Sequence, residues 1–119
     1  MIPEIVHTTT GSYVRAEPGS GILNNERDVL DLLAACGEID ASRIMLEEAT
    51  FHPNFFDLSS GLAGAVLLKL SMYRVKTAVL ANLSAIKSQR FQELIRESNK
   101  RGPIRFFDTR TTAEAWLTQ

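Results

Sequence analysis

Phe55-Phe56-Asp57-Leu58-Ser59-Ser60-Gly61-Leu62 runs straight into an apolar segment, Ala63 to Tyr73, and this junction decides how the chain is read. Leu62, Ala63, Ala65, Val66, Leu67, Leu68, Leu70 and Met72 surround only Lys69 and Ser71, which predicts a helix buried on most sides. Gly61, Ala63, Gly64 and Ala65 make one end of it slim, so that its backbone comes close to a sheet or another helix. A helix start leaves its first N–H groups unpaired. Asp57, Ser59 or Ser60 supplies a cap there, and the same geometry suits a bound or covalently attached phosphate.

Such a helix needs a sheet to pack on, and the flanking segments provide one. Downstream, Thr77-Ala78-Val79-Leu80-Ala81 is a near-continuous apolar run typical of a strand covered on both faces, placed at the sheet centre. Upstream, Arg43-Ile44-Met45-Leu46 reads as a short strand ending at Glu47-Glu48, followed by a loop from Ala49 to Asn54 containing His52 and Pro53. Before it, Val29, Leu32, Leu33 and Cys36 fall at i, i+3, i+4 and i+7, the stripe of an amphipathic helix capped by Asn24 or Asn25 and stopped by Gly37. Ile5 and Val6, a threonine run, Gly11-Ser12 and then Tyr13 to Ala16 read as a hairpin with glycine at the first turn position. The Gly19-Ser20-Gly21 of the next loop lacks the third glycine of a dinucleotide fingerprint.

Toward the C-terminus, a helix from about Lys87 to Asn99 sets Phe91, Leu94, Ile95 and Ser98 on one face and stops at Gly102-Pro103. Ile104 to Phe107 forms the last strand, and Thr111-Thr112-Ala113-Glu114 has capping-box spacing ahead of Trp116 and Leu117. The order β-β-α-β-α-β-α-β-α predicts an α/β fold. Its sheet has about five strands, mostly parallel with an antiparallel strand at one side, and four helices follow from right-handed crossovers. Ligands and partners of open sheets gather at the carboxyl ends of the strands, where the loop to Ser59 emerges.

The 119 residues are read as one domain, 1–119. A single cysteine, Cys36, excludes an internal disulfide framework or cysteine-cluster metal site and points to a reducing, cytoplasmic setting. The N-terminus lacks signal-peptide character, and the longest uninterrupted apolar stretch, Leu62 to Leu68, is broken by Gly64, so no membrane segment is expected. Net charge −1 argues against general nucleic-acid binding. The charge is uneven, however: residues 1–68 carry three arginines against ten acids, net −7, and the remainder carries ten Lys or Arg against four acids, net +6. Either folding interleaves these charges, or they form a dipole that orients a partner or a second copy.

Enzyme readings find little support. Glu47, Glu48, His52 and Asp57 lie close in sequence, but adjacent carboxylates on a strand point to opposite faces. His7 is far from His52, so no metal site is expected, and the Gly-x-Ser-x-Gly elbow of serine hydrolases is absent. The cations from Lys87 to Arg110 are interleaved with phenylalanines at core spacing, the pattern of a solvated face and not of a nucleic-acid groove. No catalytic residue, cofactor or metal is assigned.

The topology, with Asp57-Leu58-Ser59-Ser60-Gly61-Leu62 leading into the second helix, resembles the anti-sigma-factor antagonist (STAS, SpoIIAA-like) domain, whose members carry Asp-Ser-Ser-Gly-Leu at the matching place. Phe55-Phe56-Asp57-Leu58 with Gly61-Leu62-Ala63-Gly64, then Tyr73-Arg74-Val75-Lys76 and Glu97-Ser98-Asn99-Lys100, resemble the bacterial family domain of unknown function 4180. The STAS resemblance implies a regulatory module whose first motif serine, here Ser59, is phosphorylated by a kinase that is also its binding partner. Ser60 is the second candidate phosphoacceptor. In this chain Leu58 stands where the pattern has aspartate, and Asp57 sits one residue early. The expected contact surface for a protein partner or an anion is Asp57, Leu58, Ser59, Ser60, Gly61 and Leu62, with a homodimer as a further expectation. The alternatives are a small-ligand site for a nucleotide phosphate at the same helix start, or serines that serve only as caps.

Overall fold

The computed structural model describes residues 3–16, 23–39 and 41–119. Five strands, β1 Pro3–Thr8, β2 Gly11–Ala16, β3 Arg43–Glu47, β4 Lys76–Leu80 and β5 Ile104–Phe107, form one sheet in the order β1-β2-β3-β4-β5. β1 pairs antiparallel with β2, and every later pairing is parallel. Four α-helices, α1 Glu26–Glu38, α2 Leu62–Met72, α3 Gln89–Lys100 and α4 Arg110–Leu117, complete the expected β-β-α-β-α-β-α-β-α order.

Side chains alternate across each strand, so one residue in two serves each face. Val14, Ala16, Ile44, Leu46, Val79, Ile104 and Phe106 join the buried residues of α1, α2 and α3 in one core. Tyr13, Met45 and Ala78 join Ala113 and Leu117 of α4 in a second core on the opposite face. Each parallel crossover advances one strand in the same direction with its helix on the same face, as repeated crossovers of one hand require. Among the described residues the strand order does not reverse, so no crevice forms at a reversal and the carboxyl ends of β2 to β5 make a continuous rim.

Several local expectations are corrected. The hairpin turns at Thr9-Thr10, because the Thr8 hydroxyl accepts from the Gly11 N–H at 3.1 Å; Gly11 and Ser12 already belong to β2. α1 is capped by Asn25, whose Oδ1 accepts from the Asp28 N–H at 3.0 Å, while the Asn24 N–H donates to the Asp28 carboxylate at 2.9 Å. Gly37 is not a left-handed stop: the helix runs through it, and the Ile39 N–H closes the end on Cys36 and Gly37 carbonyls. β3, not β4, is the middle strand of five, although β4 is interior and Thr77, Ala78 and Val79 are fully buried. α4 starts two residues early, capped by Thr109, whose hydroxyl accepts from the Thr112 N–H at 3.3 Å. Glu114 accepts from the Tyr13 hydroxyl at 2.7 Å, so its carboxylate is engaged away from the helix start.

The largest correction concerns α2. Leu62, Ala63, Val66 and Leu70 are buried, yet Leu68 and Met72 are 59% and 60% exposed, so the helix is not covered on most sides. The Gly19-Ser20-Gly21 loop lies outside the described residues. Among the described residues, no helix is long and apolar enough to cross a membrane.

Candidate functional site at the carboxyl end of the sheet

From the end of β3 the chain makes three short 3-10 turns, Glu48–Thr50, Pro53–Phe56 and Leu58–Ser60, before entering α2. Aromatic packing anchors the outward excursion. Phe51 stacks on Phe55 with ring centroids 4.0 Å apart, and Phe56 meets Phe55 edge-on at 5.1 Å. Phe91 of α3 lies 5.8 Å from Phe55 and 5.5 Å from Phe56. The polar residues above this cluster are therefore presented from a fixed base.

Asp57 organises the last turn. Its Oδ1 accepts from the Ser59 N–H at 3.1 Å and from the Ser59 hydroxyl at 2.6 Å. The Ser60 hydroxyl lies within donating distance of the Asn54 carbonyl at 2.7 Å and the Asp57 carbonyl at 2.8 Å, and it accepts from the Leu62 N–H at 3.2 Å. Asp57 thus caps the 3-10 turn, and Ser60 serves the first residue of α2. Gly61 occupies the N-cap position of α2 in a left-handed conformation, φ 79° and ψ −7°, with no side-chain cap, and that φ is what turns the chain into the helix. Asp57, Ser59, Ser60 and Gly61 are exposed, Leu58 is half-buried and Leu62 is buried. The six expected residues form one local structure, and Ser59 is the one whose hydroxyl faces solvent while bonded only to a carboxylate.

Beside this turn Asn24, His52, Asn54, Ser60 and Leu62 line a polar depression of about 330 Å³. His52 is oriented by its Nδ1, which accepts from the Asn54 N–H at 3.1 Å. The residues weighed for catalysis are each engaged separately. Glu47 pairs with Arg15 at 3.2 Å and with Arg110. Glu48 accepts from the Asn82 N–H at 3.2 Å. Among the described residues, no three His, Cys, Asp or Glu side chains gather at metal-binding distance. Burial pushes the Cys36 thiol up to about 11, in keeping with a core residue.

A second feature of the rim escaped the reading of the sequence. Glu47, Glu48, Leu80, Asn82, Asp108 and Arg110 line a depression of about 510 Å³ over the ends of β3, β4 and β5. Glu47 is held there between Arg15 of β2 and Arg110 of α4. These residues are 32 and 63 positions from Glu47, and no sequence motif links them. The single available signal is strand alternation, which puts Arg15 and Glu47 on the α4 face with Tyr13 and Met45.

No curated protein and no solved structure matches the chain. A family model, described as Domain of unknown function (DUF4180), matches residues 8–117, and the chain belongs to that family.

Proposed function

We propose that this chain is a STAS-like regulatory module of the cytoplasm that acts without catalysis, docking a protein partner through Asp57 to Leu62 and released by phosphorylation of Ser59. The observation that supports it most is the 2.6 Å hydrogen bond from the exposed Ser59 hydroxyl to the Asp57 carboxylate. Phosphorylation removes that donor and sets about −1.5 to −2 charges beside an existing carboxylate. The attraction that shapes the turn becomes repulsion, while the aromatic base beneath is untouched. Partner contact changes and the fold persists. Ser60 is the poorer acceptor, since its hydroxyl is shared among three backbone groups, the Asn54 and Asp57 carbonyls and the Leu62 N–H.

The second reading is an anion or nucleotide-phosphate site, favoured by the polar depression beside Ser60. The Asp57 carboxylate works against it, because an anion at Ser59 meets that negative charge. Phosphopeptide mapping of protein recovered from its host tests the first reading directly. Phosphate on Ser59 is expected, and Ser59→Asp is expected to abolish retention of the co-purifying partner while folding stability stays within about 1 kcal/mol. Unmodified Ser59 peptides with Ser59→Asp binding unchanged would sink the switch.

A further inference from the structure

α2 presents a solvent face without a charge. Gly61, Gly64, Ala65, Leu68, Ser71 and Met72 follow one another at helical spacing along it, with Tyr73 just beyond, and Leu68, Met72 and Tyr73 are 59%, 60% and 56% exposed. The one cation of the helix, Lys69, leans sideways to Glu26 of α1 at 3.9 Å. A lone exposed leucine is ordinary, but three large apolar side chains on an uncharged helix face mark a surface that another molecule covers.

The flanks say what covers it. On one side α1 packs against α2 and carries Glu26, Asp28, Asp31 and Glu38 against Arg27. Across the groove lined by Leu67, Leu68 and Leu94 lies α3, where Arg90, Arg96 and Lys100, with Arg101 just past its end, stand exposed against Glu93 and Glu97. Part of the uneven charge along the sequence thus lies on the two helices beside the stripe: α1 carries four acids against one cation, and α3 with Arg101 carries four cations against two acids. A surface with that pattern is complementary to itself. Laid face to face about a two-fold axis parallel to α2, α2 meets α2 and each α1 meets the α3 of the other copy. An axis perpendicular to α2 sets acid against acid and base against base.

We infer that the occupant is a second copy of this chain, paired through α2 with the acidic α1 of each copy facing the basic α3 of the other. The interface shares Gly61 with the partner surface Asp57 to Leu62 but does not involve the Ser59 hydroxyl, so self-association is read separately from phosphorylation of Ser59.

Sedimentation equilibrium of the full chain at low salt tests it. A mass of twice 13.2 kDa is expected, falling to 13.2 kDa in Leu68→Glu/Met72→Glu, with a loss of affinity on the order of 100-fold and an unchanged far-ultraviolet spectrum. Two charge-reversed proteins test the arrangement. Asp31→Lys/Glu38→Lys and Arg90→Glu/Arg96→Glu each weaken self-association, and mixing them restores a dimer. A monomer at every concentration, a dimer indifferent to Leu68→Glu/Met72→Glu, or α1 reversal that leaves self-association intact would overturn the proposal.

Discussion

α2 and α3 pack on the same face of one sheet, and they meet water in opposite ways. α3 buries Phe91 and Ile95 and turns Arg90, Glu93, Arg96, Glu97 and Lys100 outward. α2 buries Leu62, Ala63, Val66 and Leu70 and turns Leu68 and Met72 outward. Their ends differ too. The Ser88 hydroxyl accepts from the Phe91 N–H at 3.2 Å to begin α3, whereas α2 begins on a left-handed glycine without a side-chain cap. Asn99 then ties α3 to the edge strand: its Nδ2 donates to the Phe106 carbonyl at 3.1 Å and its Oδ1 accepts from the Phe106 N–H at 2.7 Å. These bonds satisfy backbone groups that an edge strand otherwise offers to another chain. α3 is finished within its own chain. α2 leaves Leu68 and Met72 exposed, and amphipathicity alone does not tell a helix facing water from one facing a partner.

The comparison is broken most forcefully in the buried halves. Phe91 packs against Phe55, Phe56 and Phe106, the last at 6.0 Å. Phe91→Ala is expected to cost about 3–5 kcal/mol in a urea melt, and Leu70→Ala on α2 about 2–5 kcal/mol. Leu68→Ala, two residues from Leu70, is expected to stay within about 0.5 kcal/mol in the monomer. Equal losses at Leu68 and Leu70 would mean that α2 is covered on both sides within its own chain.

The helix starts give the next largest effects. Gly61 has φ 79°, which an L side chain adopts at a cost, so Gly61→Ala is expected to destabilise by about 1–2 kcal/mol. Ser88→Ala removes the cap of α3 and is expected to cost about 1 kcal/mol. Chemical denaturation of the two variants compares a backbone device with a side-chain device at the same place in neighbouring helices. Should Gly61→Ala prove neutral, the left-handed turn would not be what aims the Asp57 to Ser60 structure.

Period and punctuation revealed the order of elements because each signal is local. The stripe of α1 and the apolar run of β4 describe their own surroundings. Errors arose where several neighbours compete for one role. Thr109, Thr111 and Thr112 all offer caps, and the choice fell to Thr109, whose partner N–H is that of Thr112, while Glu114 is bound to Tyr13. Gly37 suits a helix stop but equally tolerates the helical backbone it adopts. Local hydrogen bonding from Asp57 to Ser60 was legible, since most of its bonds span two or three residues, but Asp57 caps a 3-10 turn and not α2, which starts on Gly61 without a side-chain cap. The Arg15, Glu47 and Arg110 group was not, because sheet register and the docking of α4 bring it together. Nor does an apolar residue disclose whether its own chain covers it, and this is why α2 read as an interior helix.

Gly64 gives the smallest effect and the finest division between the two helices. It lies inside α2 on the exposed side, and a Cβ built on it meets nothing within 4 Å. Helix propensity then acts alone: alanine restricts the unfolded chain more than glycine does, and Gly64→Ala is expected to stabilise the monomer by about 0.5–1 kcal/mol. Gly61→Ala, three residues earlier, is expected to act in the opposite direction. The sign at Gly64 also depends on what lies over it. In the Leu68→Glu/Met72→Glu background the helix faces water and the gain is kept. In the unaltered chain at dimer-forming concentration, the added methyl enters the space through which a second α2 approaches, so the gain shrinks or reverses and self-association weakens. Thermal melts of both backgrounds over a range of protein concentrations measure this. An identical gain in the two, with association unchanged, would move Gly64 out of the contact and leave only Leu68, Met72 and Tyr73 to form it.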